Sequence, residues 1–99
     1  MAKVRVYQLD IEHENKFMSY QFACNHGGIH RKDYRTVFKG ELPTNDLEGI
    51  YLILNSRHPE GYKGHSLSVS DVITVEGLGT FYVDSFGFSE LFDFEVKEA

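Results

Sequence analysis

Residues 24 to 30 read CNHGGIH and place Cys24, His26 and His30 within seven positions, with Gly27 and Gly28 between the two histidines. Thiolate and imidazole are ligands that zinc prefers, and glycines allow the backbone turns that fold such ligands toward one point. The spacing makes a zinc centre a candidate, with His13, Asp33 or His58 available as a fourth ligand. Zinc signatures usually combine two ligand pairs, whereas this chain carries one cluster and a single cysteine. The competing reading is that the histidines are ordinary surface residues and that Cys24, after Phe22 and Ala23, is a small core residue. No carboxylate is placed beside the cluster as a base, so a bound zinc is expected to be structural.

A second set of reactive residues lies in SLSVSD, where Ser66, Ser68 and Ser70 alternate with Leu67 and Val69. With His65 or His58 as base and Asp71 or Asp84 behind it, the parts of a nucleophilic triad are present. The G-x-S-x-G elbow is absent, and neighbouring strand positions point to opposite faces, so His65 and Ser66 do not meet without a bend. These hydroxyls are expected to satisfy nearby backbone instead. GYKG and GLG match neither glycine fingerprint of a phosphate-binding loop. The expectation is a protein that is not an enzyme.

Charge suggests binding. Residues 1 to 40 carry seven Lys/Arg against four Asp/Glu, and residues 41 to 99 carry three against eleven, a split of +3 and -8 within a net charge of -5. Toward the C-terminus Asp84, Glu90, Asp93, Glu95 and Glu98 surround Lys97 and interleave with Phe86, Phe88, Phe92 and Phe94. Phosphate backbones require clustered cations, so direct nucleic-acid binding is not expected of this end. A basic protein surface suits it better, which makes Asp84, Phe88, Glu90, Phe92, Asp93 and Glu95 the candidate partner-binding residues. The alternative is a solvated acidic face.

The elements that must position these residues fit one domain over 1–99. The single cysteine excludes an internal disulfide, and no apolar run approaches the length of a membrane span or shows a secretory signal. A complete small reading frame in the cytoplasm is expected. Val4 and Val6 alternate with Lys3 and Arg5 into a first strand through Tyr7 and Leu9. KFMSYQFA is read as a second strand, with a short helix as its alternative, and DYRTVFKGEL as another extended segment. LPTNDLEGIYLILNS is the principal helix, capped by Asn45 with Glu48 three residues on, and Leu47, Ile50, Tyr51 and Leu54 form its apolar stripe. RHPEGYKGH is a loop. Residues 66 to 85 read as a hairpin turning at GLG, with Asp71 breaking the apolar alternation either at a bend or to accept backbone donors. FDFEV supplies a last strand. The sum is an α+β fold, a mostly antiparallel sheet with one principal helix on one face.

RVYQLD near the start, and LEGIYLILNSRHPEGYKGHSLSVSDVITVEGLGTFYVDSFGF over 47 to 88, resemble the YodL-like domain of Firmicutes, their phages and mobile elements. The resemblance rests on HP before a glycine-containing loop, on SLSVSDVI and on YVDSFGF, in that order. Residues 12 to 46, which include CNHGGIH, depart from it. The family implies a home on mobile DNA and brings no catalytic residue. As a small acidic chain it is also similar to type II anti-CRISPR inhibitors. That likeness implies a counter-defence protein that binds a host RNA-guided CRISPR effector nuclease and blocks target-DNA loading or cleavage. The alternative is a non-inhibitory adaptor module of a mobile element.

Overall fold

A computed structural model describes residues 2–56, 58–92 and 94. Five strands form one antiparallel sheet: β1 (Ala2–Leu9), β2 (Tyr34–Leu42), β3 (Val72–Val75), β4 (Gly79–Val83) and β5 (Phe88–Leu91), in the spatial order β2-β1-β3-β4-β5. Two helices complete it, α1 (Tyr20–Asn25) and α2 (Leu47–Ser56), with a short 3₁₀ turn at Arg31–Asp33. The architecture is the expected α+β fold, dominated by its sheet.

The sheet is buried on both faces in its middle, and the strand period divides the core in two. Val4 and Val6 of β1, Ile73 and Val75 of β3 and Val83 of β4 point to one face, where Ile50 and Leu54 of α2 lie fully buried against them. The apolar stripe expected of that helix is therefore the one the sheet buries. Tyr7, Leu9, Val72 and Tyr82 point to the other face and pack with Ala23 of α1, Tyr34 and Phe94. Truncating Leu54 to Ala is expected to cost about 2–5 kcal/mol, since a filled site cannot collapse around the void. A bulge in β2 couples the faces: Val6 pairs with Phe38 and Tyr7 with Thr36, leaving Val37 as the extra residue. Val37 and Phe38 thereby enter the same core although they are sequence neighbours.

Several boundaries differ from the sequence expectation, each for a local reason. KFMSYQFA is not a strand; Phe17 and Met18 lie in a turn, and Ser19 caps α1 by accepting from Phe22 N. Asp46, not Asn45, caps α2. Its carboxylate accepts from Gly49 N at 3.0 Å, its carbonyl from Ile50 N at 2.8 Å, and Thr44 Oγ1 holds its own N–H. The first strand of the hairpin starts at Val72 rather than Leu67, because Asp71 accepts from Ser68 N and closes a turn ahead of it. The last strand is Phe88–Leu91, upstream of FDFEV; Phe92 is 86% exposed, Phe94 is buried, and Asp93, Glu95 and Val96 lie outside the described residues.

The cap assignment is directly testable. Asp46→Ala is expected to destabilise by about 1 kcal/mol and Asn45→Ala by a few tenths at most, read by urea denaturation; equal losses would contradict it.

Candidate functional site

The polar residues that the family-like motifs contribute converge inside the molecule. Asp71 stands where β3 begins, on the core face that Ile73 and Val75 continue, and it is fully buried. Its Oδ2 accepts from Ser68 N at 2.9 Å and from Gln8 Nε2 at 3.1 Å, and its Oδ1 meets Lys16 Nζ at 3.3 Å. Gln8 extends from β1 on the same face and also donates to His65 O at 2.9 Å. The Lys16 and Asp71 side chains are 2% and 0% exposed, so their contact sits out of water. Burial pushes the Asp71 carboxyl above its ordinary value, and the Lys16 ammonium and the donors from Ser68 and Gln8 oppose that shift.

Backbone strain collects beside the pair. Ser70 and Phe17 both hold positive φ, 90° and 69°, a region that non-glycine residues rarely enter. They are tied together, Phe17 N donating to Ser70 Oγ at 3.0 Å, and Tyr34 OH donates to Ser70 O at 2.8 Å. Burial drives the Tyr34 hydroxyl well above its usual range, with the neighbouring Tyr82 and Asp71 adding to the shift, and pushes Tyr62 up to about 12, so both remain proton donors at neutral pH. Gly64 is required by the same cluster, because a Cβ there would collide with the Gln8 side chain and with Val37.

Asp84 of YVDSFGF has a turn-building role. Its Oδ1 accepts from Tyr20 N at 3.1 Å and Ser85 N at 2.8 Å, its Oδ2 from Ser89 Oγ at 3.0 Å, and its N–H donates to Gly87 O. One carboxylate thus fixes the β4–β5 turn and the start of α1. Burial raises this carboxyl, but the three hydrogen bonds outweigh it and hold the group below its ordinary value. Tyr82 OH adds a bond to Met18 O at 2.8 Å.

Of the expected acidic strip, Asp84, Phe88, Glu90 and Phe92 are among the described residues. Phe88 is half-buried against the α2 core, 6.3 Å from the Tyr51 ring, and Glu90 is exposed with its carboxylate over Gly79. Phe92 is exposed, and Asp93 and Glu95 lie outside the described residues. Phe86, which the sequence reading did not select, is 96% exposed and lies with Phe92 on either side of β5. Nothing in its local pattern distinguishes it from Phe94, which is buried.

The CNHGGIH segment has a different geometry from a closed metal site. His26 stacks on Phe22 with ring centroids 3.8 Å apart and its Nδ1 lies 2.8 Å from Phe22 O; His30 Nε2 lies 2.6 Å from Gly27 O. Each of these bonds takes one ring nitrogen and leaves the other, so it orients the ring without excluding ligation. Cys24 is exposed, His13 faces Asp33 at 3.5 Å, and His58 stacks on Tyr62. Among the described residues no group of three His, Cys, Asp or Glu side chains converges as a metal site. The serines do not assemble a triad either: among the described residues no histidine nitrogen is hydrogen-bonded to a serine hydroxyl, and His65 Nδ1 lies on Ser66 O.

Residues 3–94 match the family model described as the YodL-like domain. The chain belongs to the YodL-like domain family. No match was found among curated proteins or among solved structures. The YodL-like match runs across residues 12 to 46 as well, so Lys16 lies inside it together with Gln8, Asp71 and Asp84. Among the described residues of this YodL-like domain, no helix is long and apolar enough to cross a membrane.

Two predictions follow from the buried pair and the turn. Lys16→Met leaves the buried Asp71 carboxyl without its cation and is expected to cost about 3–5 kcal/mol, while adding Asp71→Asn to it recovers part of that loss. Urea denaturation of both variants measures it, and additive losses would show that the two groups are not coupled. Because Asp84 is depressed in the folded protein, the stability it provides is complete above the ordinary carboxylate range and is lost as pH falls through its lowered value. Asp84→Asn is accordingly expected to flatten the acid limb of a thermal-stability profile.

Proposed function

We propose that this YodL-like domain is a non-catalytic protein-binding module that engages its partner along β5, an end strand of the sheet among the described residues. The observation that supports it is the exposure of Phe86 and Phe92, at 96% and 86%, just before and just after the strand that ends the sheet among the described residues. Large aromatic side chains serve as anchors when a partner desolvates them, and two at one edge are a costly surface for a chain with no use for them. The edge itself adds main-chain recognition. Asp84 N bonds Gly87 O, and the antiparallel alternation from that pair turns the backbone groups of Phe88 and Glu90 outward. An extended segment of a partner can add to the sheet there.

The partner surface is basic. The net charge of -5 and the exposed Glu90 favour cations across the contact, which steer encounter and make binding salt-dependent. The specific form of this function is counter-defence. An RNA-guided type II nuclease holds its heteroduplex in a positively charged channel, and an acidic domain docked beside it obstructs DNA loading without chemistry.

Binding to purified type II effectors by calorimetry, with DNA cleavage measured in parallel, tests both levels. Phe86→Ala with Phe92→Ala is expected to weaken the complex at least tenfold with little change in melting temperature. A stoichiometric complex that leaves cleavage undiminished would establish the adaptor and remove the inhibitor. Full affinity in the double variant would overturn the β5 edge as the contact.

A further inference from the structure

Lys16 and Asp71 stand 55 residues apart in the chain and meet with Nζ 3.3 Å from Oδ1, at side-chain exposures of 2% and 0%. The backbones that carry them are clamped side by side. Phe17 follows Lys16 and Ser70 precedes Asp71, and these two are the non-glycine residues with positive φ among the described residues. Phe17 N donates to Ser70 Oγ at 3.0 Å, which ties the two strained positions together. Strain of this kind persists only where the surrounding structure over-determines it, and here it falls on the immediate neighbours of both members of one contact. The Phe17 ring lies over Lys16 Nζ, 4.9 Å from it.

A primary amine held against a carboxyl group can condense with it to an amide without any co-reactant. In water both groups stay charged, and an ammonium is no nucleophile. Burial reverses that preference, because a proton passed from Nζ to Oδ1 across the contact replaces two buried charges by a neutral amine and a neutral acid. The upward push that burial gives the Asp71 carboxyl runs in the same direction. The other carboxyl oxygen is placed for the attack. Oδ2 accepts from Ser68 N at 2.9 Å and from Gln8 Nε2 at 3.1 Å, and two N–H donors on one carbonyl oxygen stabilise the negative charge that develops there as a nucleophile adds to the carbon. The fold holds amine and acid together throughout its lifetime, so the reaction needs no encounter.

We propose that Lys16 and Asp71 are the site of an intramolecular crosslink, an isopeptide bond between Nζ and Cγ. The Nζ–Cγ bond forms and the Cγ–Oδ1 bond breaks. Oδ1 departs as water with two of the three ammonium protons, and the third stays on the amide nitrogen. Oδ2 remains a carbonyl oxygen and keeps the donors from Ser68 and Gln8. The product is neutral, so the cost of holding two ions out of water disappears. The bond ties the β1–α1 loop to the turn ahead of β3, and the loss expected for Lys16→Met then includes the bond as well as the contact. The crosslink is independent of partner binding at β5.

Intact-mass spectrometry of the whole chain, denatured after it has been held folded at pH 7.5 until its mass is constant, tests the bond. The expected mass is that of the sequence less one water. Trypsin is expected to leave Lys16 uncut and to release one branched peptide that joins residues 6–31 to residues 64–97. Lys16→Arg keeps a cation but has no amine that condenses, and it is expected at full sequence mass. Gln8→Leu removes one donor from Oδ2 and is expected to slow the conversion about tenfold. Amide NMR spectra report whether each chain is folded. Full sequence mass in the folded, unsubstituted chain would overturn the crosslink. A water loss that persists in Lys16→Arg would also overturn it, because the dehydration would then lie elsewhere, as a succinimide at another aspartate.

Discussion

A carboxylate removed from water is tolerable only when every oxygen is answered, and the interior of this domain is arranged around that requirement at Asp71. Its three donors come from three places: a backbone N–H of the loop before β3, a side chain of β1 and a lysine of the β1–α1 loop. None is a sheet or helix bond, so the ion pair fastens together segments that have no regular structure to hold them. The long connection before β3 and the turn that carries Phe17 are both positioned by it. Removing either charge leaves the other stranded, which is why such a pair specifies a conformation even where it adds little net stability.

With the loops fixed in this way, the sheet presents unequal surfaces. One face is closed by α2. The other is closed near Tyr7 and Tyr82 and left polar around Arg5. The strand order puts β5 at one edge and β2 at the other. β2 carries Arg35, Lys39 and Glu41 along its length, contains a bulge, and has Lys63 N bonded to Val37 O, all of which blunt an edge against added strands. β5 has only Glu90 among charged residues and two phenylalanines beside it. The two edges are chemically unlike.

What the sequence disclosed followed from period. Alternation in β1 and the i, i+3, i+4, i+7 stripe of α2 are strong because each element buries one face against a continuous partner. The short α1 was misread, since six residues with one buried side chain leave no periodic trace, and only Ser19 marked its start. Asp71 announced itself by breaking the apolar alternation, but Lys16 and Gln8 did not. Their pairing is set by the path of the chain through space, with sequence separations of 55 and 63, and a lysine in a polar stretch looks the same whether it ends in water or on a buried carboxylate. CNHGGIH drew attention by composition, and each of its histidines gives one ring nitrogen to a nearby carbonyl, a bond that a surface loop and a metal ligand can both make.

The order β2-β1-β3-β4-β5 also governs how the chain reaches its native state. The meander from β3 to β5 closes through short turns and forms from neighbouring residues, whereas β1, far from β3 in the chain, becomes an inner strand only when Val4 finds Val75 and Val6 finds Ile73. Until then the N-terminal strand and β2 display an unpaired edge rich in valine. Loop-closure entropy must be met before that pairing returns any energy, so joining the two halves is the slow step of folding. Once made, the seam is held by four residue pairs between β1 and β3, by the α2 core that spans both halves, and by side-chain bonds such as those to Asp71 and Ser70.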